Sequence, residues 1–354
     1  MRIYLKKREP LSWSGKLMIV FTGLLFSIIL SSVIIVIVKG NPINVWLAIF
    51  YGSIGSRFAV IETIVKTVPL LFTGLAVAVA FRIKFWNIGA EGQLYAGGLA
   101  AAAIGILPIK IPTPIHIALV IIGGFIAGGV CASVAGYLKI KLKVNEVVTT
   151  ILMNYIIILL ISTLLDGPWR DLASGWPHSP PINNSARFPI LIPGSRFHLG
   201  IIFAIIVVLI VYVILEKSIL GYEINAIGGN PIAAYFTGIP RDMAILTTAF
   251  ISGGIAGLAG VNEVCAIQYY LHETLSTGYG YAGVVIAMLG VLNPIGVVLG
   301  AFYFAMIING AEYMSRTTGV PIFLTEVIQG ITLITILAVW MFNEYKITIV
   351  KKYS

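Results

Sequence analysis

The sequence predicts an all-α, polytopic membrane protein with about ten transmembrane helices. Hydrophobic residues fill 58% of the 354 positions and charged residues only 10%, whereas roughly a quarter of a soluble domain is charged. Apolar runs near the roughly 20 residues that cross a bilayer recur along the chain. Because no segment between them is long enough to fold separately, residues 1–354 are expected to form a single transmembrane domain.

Each predicted span is an apolar run bounded by polar, proline or glycine residues. The first follows basic residues and has about 22 apolar residues, too many for the core of a signal peptide, so it is expected to remain as an anchor. The run at 280–292 is short enough to be a half helix. The predicted spans are 17–38, 60–81, 88–106, 116–138, 146–165, 199–215, 244–262, 280–292, 295–312 and 322–342.

The net charge of +9 follows the membrane topology. If the N-terminus is cytoplasmic, most lysines and arginines fall inside, which agrees with the positive-inside rule and places both termini in the cytoplasm. This distribution explains the basic charge without nucleic acid, and no block of like charges resembles a nucleic-acid-binding arm. The basic residues expected outside are Lys39, Arg57, Lys110, Arg170, Arg187, Arg196 and Arg316.

The sequence contains little that indicates catalysis. Cys131 and Cys265 lie in apolar runs without CxxC spacing, so neither a disulfide nor a metal site is expected. The four histidines are scattered and lack metal-ligand spacing. Neither a P-loop nor a G-x-S-x-G motif is present. We therefore expect a transport protein without metal or cofactor, and an intramembrane enzyme is the weaker interpretation.

A polar, glycine-rich stretch from Phe85 to Gly98 lies between two apolar runs. An acid at membrane depth is costly unless it is stabilised locally or lies beside water. If Asn87 caps a helix that continues through Tyr95, Glu91 falls in the first turns, where the helix dipole favours an anion. The stretch is either a packing kink with an acid at the interface or part of a transport path.

Two long connections carry further signals. The outer loop from Asp166 to His198 is rich in proline and tryptophan, which predicts an ordered lid that is either a docking surface or a structural belt. The inner connection, residues 216–243, contains Pro231 in the first turn of a short helix, with Asn230 as its cap and Gly238 at its close. Such an exposed helix either meets a partner or lies at the membrane interface.

Two motifs occur twice. The run from Tyr95 to Ala101 resembles that from Tyr281 to Ala287, and Asn145 to Val148 resembles Thr325 to Ile328. In the predicted topology the first copy of each motif starts at the cytoplasmic side and the second copy starts at the outside. This pattern predicts an inverted repeat, with halves at about 60–165 and 244–342.

Inverted repeats of this type hold a path near their interface, and the broken helices are tolerated beside it. Asn145 and Thr325 are predicted to cap the helices that carry Glu146 and Glu326, so capping alone explains each of these acids as well. The repeat also sets the polar residues Asn154, Gln268 and Gln329 in or beside the facing spans. The candidate path residues are Asn87, Glu91, Gln93, Tyr95, Asn145, Glu146, Asn262, Glu263, Gly278, Gly280 and Glu326.

Three motifs carry a family resemblance. They are Asn87 to Gln93 (NIGAEGQ), Lys143 to Thr150 (KVNEVVTT), and Gly228 to Ala234 (GGNPIAA) with Gly238. The chain resembles the permease subunits of bacterial ABC importers over about 17–342. It is most similar to the nucleoside branch of the family that also serves simple sugars and branched-chain amino acids. One departure is Asn225, where similar proteins usually carry arginine or lysine.

The resemblance implies the assembly and the mechanism. A second, related permease would complete a heterodimer in the cell membrane, cytoplasmic ATP-binding subunits would dock below, and a substrate-binding lipoprotein would deliver ligand from outside. Nucleoside uptake by alternating access is the expected function. A ribose-type sugar permease, an ion-coupled secondary transporter and a channel remain as alternatives. The residues implied in ATPase coupling are Gly221, Gly228, Asn230, Ala233, Ala234 and Gly238.

Overall fold

The computed structural model describes residues 2–7, 13–108 and 111–350. These residues form thirteen α-helices, a 3₁₀ turn, a π-helical turn and two short strands. The helices are α1 (Trp13–Ile37), α2 (Pro42–Ile54), α3 (Arg57–Arg82), α4 (Ala90–Gly105), α5 (Thr113–Leu142), α6 (Glu146–Asp166), α7 (Leu199–Lys217), α8 (Ile219–Gly229), α9 (Pro231–Phe236), α10 (Arg241–Asn262), α11 (Tyr279–Leu289), α12 (Pro294–Thr318) and α13 (Leu324–Glu344). The turns are Asn184–Ala186 (3₁₀) and Glu263–Gln268 (π), and the strands are β1 (Arg2–Lys7) and β2 (Tyr345–Val350).

The predicted helical, polytopic fold is confirmed. Seven helices in the described residues are long and apolar enough to cross a membrane: α1, α3, α5, α6, α7, α10 with its π-helical turn, and α12. Each of the other three predicted spans also contains a helix, but α4 and α11 have only 16 and 11 residues. The 11 residues of α11 are few enough for the half helix that is expected in the run at 280–292.

One apolar helix, α2, was not predicted from the sequence. Its 13 residues are too few to cross a membrane. The side chain of Asn41 caps it by accepting hydrogen bonds from the N–H groups of Ile43 and Asn44, at 3.0 and 3.3 Å. Pro42 occupies the first helical position, where its missing N–H is not needed.

The chain divides into two compact units. The expectation that residues 1–354 form a single transmembrane domain stays a prediction. The smaller unit comprises Met1–Ser56 and Met306–Ser354, and the larger comprises Arg57–Ala305. In the smaller unit, Ser27 and Thr332 join α1 to α13 through a hydroxyl–hydroxyl hydrogen bond of 2.6 Å. The strands β1 and β2 pair antiparallel, so the two ends of the described chain lie together, which is the arrangement expected of termini on one side of a membrane.

The larger unit is built on α3 and α10, which are its most buried spans. The short helix α4 packs on α10, where a Cβ on Gly97 would overlap the carbonyl group of Gly257. The short helix α11 packs on α3, where a Cβ on Gly283 would lie 2.8 Å from the carbonyl carbon of Thr73. Gly97 and Gly283 are equivalent positions of the predicted repeat. Each short helix therefore packs on the long helix of the other half.

The two short helices start together and run in opposite directions. At the far end of α4, a Cβ on Gly105 would touch the side chain of Ile182 in the long loop. Just beyond α11, the carbonyl oxygen of Leu292 accepts a 2.9 Å hydrogen bond from Arg82 Nε. We call the first end, with residues 166–198 and 269–278, the loop end. The second, which carries Arg82, Lys139, Lys141, Lys143 and Arg241, is the basic end.

Gly97→Val is expected to destabilise the larger unit by at least about 3 kcal/mol, since the overlap is with backbone that cannot rotate away. The measurement is the midpoint of thermal unfolding of the detergent-purified protein. Gly330→Ala in α13 is the matched control, because nothing lies within 4 Å of its added Cβ, and it should change stability by no more than about 1 kcal/mol. Equal midpoints for the two variants would contradict this packing.

Candidate functional site

One buried carboxylate joins the N-terminal ends of α4 and α11. Glu91 lies in the first turn of α4 and is only 4% exposed. Its Oε2 atom accepts a 2.6 Å hydrogen bond from the backbone N–H of Gly280, in the first turn of α11. Unpaired N–H groups and the positive end of the helix dipole favour an anion at both helix starts. The carboxylate therefore fixes the two short helices to each other.

The approach of α11 to Glu91 requires glycine. Gly278 is the N-cap of α11 and has φ of +90°, a conformation that residues with a Cβ rarely adopt. A Cβ on Gly280 would overlap the backbone of Glu91. The predicted close approach is therefore present at Gly280, whose neighbour is the start of α4.

Two buried amides support the irregular segment before α4. Asn87 and Gln93 exchange two hydrogen bonds of 2.9 Å, and Asn87 Nδ2 also donates to Ser252 Oγ at 3.0 Å. The prediction that Asn87 caps the helix is wrong, because the N-cap is Gly89 and α4 begins at Ala90. Asn87 Oδ1 instead accepts from the N–H of Gly89 at 2.9 Å and stabilises the turn before the helix.

A third amide, Asn154 of α6, holds the same segment from the other side. Its Oδ1 accepts from the N–H of Gly92 at 2.8 Å, and its Nδ2 donates to the carbonyl oxygen of Ile88 at 3.1 Å. A weaker 3.4 Å contact reaches the hydroxyl of Tyr281 in α11. These bonds satisfy backbone groups that the break in the helix leaves unpaired.

We call Asn87, Glu91, Gln93, Asn154 and Gly280 the junction. All five are buried, and the hydrogen bonds described above join them to other groups of the protein. In this conformation they hold helices rather than face an open passage. The junction can therefore transmit a displacement between α4, α6, α10 and α11. A role for these side chains in contacting ligand stays a prediction.

The connection between α7 and α10 forms two helices at the basic end. Asn230 caps α9 by accepting from the N–H groups of Ile232 and Ala233, at 3.0 and 3.2 Å, and Pro231 follows at the first position. Gly238 closes the helix with φ of +78°. These three features are confirmed, whereas α8 was not predicted.

Glycines place α8 against the rest of the unit. A Cβ on Gly228 would overlap the carbonyl oxygen of Arg82 at the end of α3, and one on Gly221 would overlap that of Ile214 in α7. Arg82 in turn forms a 2.6 Å ion pair with Glu216 at the end of α7. Any displacement of α8 is therefore passed directly to the ends of α3 and α7.

The exposed face of α9 is aromatic and aliphatic. Ile232, Tyr235 and Phe236 are 71, 72 and 82% exposed, whereas Ala234 is only 4% exposed. The expectation that Ala234 faces a partner therefore needs correction, since its side chain is buried within this chain. Three large exposed apolar side chains on one short helix are typical of a protein contact. A groove of about 710 Å³ adjoins them, lined in part by Tyr137, Tyr235, Met243 and Leu246.

At the loop end, the long loop is bonded to the segment that leads into α11. Ser179 and Leu271 exchange two hydrogen bonds of 2.9 Å, and the N–H of Ile182 donates to the carbonyl of Tyr269 at 2.8 Å. Tyr95 of α4 donates its hydroxyl to the carbonyl of Glu273 at 2.6 Å. The loop is ordered, as its prolines and tryptophans predict, and it is connected to both short helices.

The chain matches the family described as "Branched-chain amino acid transport system / permease component" over residues 59–337. It belongs to this family. It is 35% identical to the guanosine ABC transporter permease protein NupP of Bacillus subtilis, covering 86% of this chain and 88% of NupP. It is 29% identical to the nucleoside ABC transporter permease protein NupB of Lactococcus lactis subsp. cremoris, covering 90 and 88%. It is also 29% identical to the glucose ABC transporter permease protein TsgB13 of Haloferax volcanii, covering 92 and 88%.

Within the larger unit of this permease, Gly278 is the N-cap of α11 beside the junction, and four further predicted path residues lie at other helix ends. Asn145 caps α6 as predicted, by accepting from Val147 N–H at 2.9 Å, and Glu146 pairs with Lys139 at the basic end. Asn262 and Glu263 are buried at the end of α10. Among the described residues, no hydrogen bond joins either of them to the junction, and the amide of Asn262 has no partner.

Glu326 lies in the smaller unit, where it is exposed in the first turn of α13. The prediction that Thr325 caps this helix is wrong. The helix already begins at Leu324, and Thr325 Oγ1 donates to the carbonyl of Ile322 at 2.7 Å instead of accepting from a backbone N–H. Gln329 lies one turn further along the same helix, and Gln268 ends the π-helical turn of the larger unit.

Two histidines of the permease meet at the loop end and predict a pH dependence. His178 and His272 form an antiparallel bridge, and burial, with His178 contributing next, lowers the pKa of His272. The folded chain thus holds fewer protons on His272 than the unfolded chain. The contribution of His272 to the free energy of unfolding is present above about pH 6.5, and it is lost as the pH falls toward the lowered pKa.

We therefore expect the wild-type midpoint of thermal unfolding to fall between pH 7.5 and pH 5 by more than that of His272→Gln. Glutamine keeps a polar side chain of similar size but does not titrate, so the comparison isolates the charge. Parallel pH profiles for the two proteins would contradict the assignment to His272.

Proposed function

We propose that this chain is the permease subunit of an ATP-driven importer of nucleosides. The observation that carries the proposal is the exposed apolar face of α9, which lies at the basic end of a family permease. A helix tip with Ile232, Tyr235 and Phe236 exposed suits the groove of a soluble partner better than solvent. In this proposal the partner is a separate cytoplasmic ATPase, which performs all ATP hydrolysis.

The charge distribution supports an orientation with the basic end in the cytoplasm. The loop end then faces outward, both termini are cytoplasmic, and a substrate-binding lipoprotein delivers ligand to the loop end. A second, related permease completes the passage. Relatives that are themselves named as permeases of one transporter type, such as NupB and NupC of Lactococcus lactis subsp. cremoris, support a heterodimer.

The contacts suggest how force from the ATPase reaches the junction. Motion of α9 moves α8, with which it shares the cap residue Asn230. Gly228 of α8 packs on the carbonyl of Arg82, and Arg82 Nε binds the carbonyl of Leu292 just beyond α11. The start of α11 is bonded to Glu91. A rigid displacement at the basic end would thus tilt α11 against α4, which is the motion that alternating access requires.

Nucleosides are the proposed cargo because this chain is 35% identical to the guanosine permease NupP and only 29% identical to the glucose permease TsgB13. The second candidate cargo is a simple sugar. It is supported by the glucose permease TsgB13, which aligns over 92% of this chain. The discriminating property is whether a planar base is needed for uptake.

The test is uptake by cells that express the complete transporter. Radiolabelled guanosine should accumulate, and excess unlabelled inosine should compete while excess ribose or glucose should not. Cells that express the same transporter with Phe236→Asp in this permease give the background level of uptake. Accumulation of labelled ribose or glucose, unaffected by guanosine, would replace the nucleoside assignment by the sugar assignment.

A further inference from the structure

A pocket of about 530 Å³ opens at the loop end, between the long loop and the segment that leads into α11. Its lining combines aromatic rings with hydrogen-bonding side chains. The residues that matter for its chemistry are Trp176, His178, Gln268, Tyr270, His272 and Glu273. This pocket could not be predicted from the sequence, because its two walls are about 90 residues apart in the chain and, apart from Gln268, no lining residue stands out alone.

The aromatic part of the pocket is pre-arranged. The ring of Tyr270 packs at a tilt against two imidazoles, with its centroid 4.7 Å from that of His178 and 5.5 Å from that of His272. This packing restricts the ring without filling the pocket. Trp176 stands at the edge and is 71% exposed. A planar ligand could therefore stack on a fixed ring and gain a second contact from the indole.

The polar side chains of the pocket have hydrogen-bonding atoms that can still bind a ligand. His272 Nε2 is buried and has no hydrogen-bond partner in the described part of the chain, while its Nδ1 contacts Thr274 Oγ1 at 3.0 Å. A buried polar atom without a partner is costly and is often satisfied by a ligand or water. One carboxylate oxygen of Glu273 accepts from Ser162, and a carboxylate has room for further donors such as hydroxyl groups.

We propose that this pocket is a receiving site for a nucleoside, with the base stacked on Tyr270 and Trp176 and the ribose hydroxyls near Glu273. This inference rests on the proposed function and names the place where cargo first binds the permease. A simple sugar would leave the aromatic rings without a planar partner. A zwitterionic amino acid would need a lysine or arginine in the lining as well as Glu273, and the lining residues include neither.

The pocket is connected to the junction. Tyr95 donates its hydroxyl to the backbone carbonyl of Glu273 and accepts from the N–H of Ser276 at 3.3 Å. Four residues later Gly280 meets Glu91. A ligand that shifts Glu273 would therefore act on the start of α11 through a few bonds. Occupancy of the pocket is in this way linked to the contact that holds the two short helices.

The test uses the complete transporter in lipid nanodiscs or proteoliposomes, with guanosine as the probe and ribose as the comparison. Trp176→Leu and Tyr270→Leu should each raise the guanosine concentration for half-maximal ATP-driven uptake about tenfold, because each removes a ring on which the base stacks; tenfold corresponds to about 1.4 kcal/mol. Trp176→Phe and Tyr270→Phe keep a ring and should stay within about threefold of wild type.

Leu172→Ala is the control for a generally altered loop, since Leu172 is on the same loop and 93% exposed. If wild type imports guanosine and both leucine variants have wild-type half-saturation, the receiving site is overturned while the proposed function stands. If wild type imports ribose or glucose but no nucleoside, both proposals fail. A loss of uptake in Trp176→Leu that saturating guanosine does not restore would indicate a contact with the delivery protein instead of a ligand site.

Discussion

Replacing Glu91 with alanine is expected to abolish uptake and to lower the stability of the larger unit by about 3 kcal/mol. The change removes the carboxylate that accepts from Gly280 N–H at 2.6 Å, and leaves that buried N–H without its partner at the start of α11. It also removes the anion on which two helix N-termini converge. The measurements are the midpoint of thermal unfolding and ATP-driven guanosine uptake by the reconstituted transporter.

Glu91→Gln separates the hydrogen bond from the charge. The amide oxygen can still accept from Gly280 N–H, so this variant should recover at least half of the stability lost in Glu91→Ala. Its uptake should lie between that of wild type and that of the alanine variant. Wild-type stability and uptake in Glu91→Ala would show that the junction does not depend on this carboxylate.

Phe236→Asp, alone or with Ile232→Asp, is expected to reduce ATP-driven uptake at least about a hundredfold without unfolding the permease. Both side chains are largely exposed in this chain, so a charge there costs little in the isolated subunit. In a partner's apolar groove the same charge would be buried without a counter-ion, which costs several kcal/mol. The measurements are uptake, co-purification of the ATPase and the thermal midpoint of the permease.

Two controls make this result specific. Leu172→Asp places the same charge on an exposed apolar position of the long loop and should leave ATPase binding unchanged. Ala234→Asp introduces the charge at a buried position of α9 and should lower thermal stability as well as uptake. If Phe236→Asp retains both ATPase binding and uptake, the exposed face of α9 is not the coupling surface.

Features set by local rules could be predicted from the sequence. The helical spans follow from runs of apolar residues, and α9 follows from Asn230, Pro231 and Gly238, which act on their own neighbours. The face that α9 exposes could not be predicted. In a six-residue helix of mostly apolar residues the pattern does not distinguish Ala234 from Phe236, and only the tertiary packing decides.

Features that depend on distant partners were missed or misassigned. Asn87 was assigned as a helix cap from its position, but its amide bonds to Gln93 and to Ser252, which lies 165 residues away. Glu91 was recognised as stabilised by a helix N-terminus. Its partner in the second helix, Gly280, lies 189 residues later and could be reached only through the predicted repeat. The pairing of β1 with β2 joins the two chain ends and leaves no local signal.

The most direct test of the central claim is guanosine accumulation in proteoliposomes that contain both permeases and the delivery protein, with and without the ATPase. Accumulation above the external concentration should require the ATPase and ATP, and should be lost in Phe236→Asp. Uphill accumulation driven by a proton or sodium gradient in vesicles without the ATPase would contradict the account.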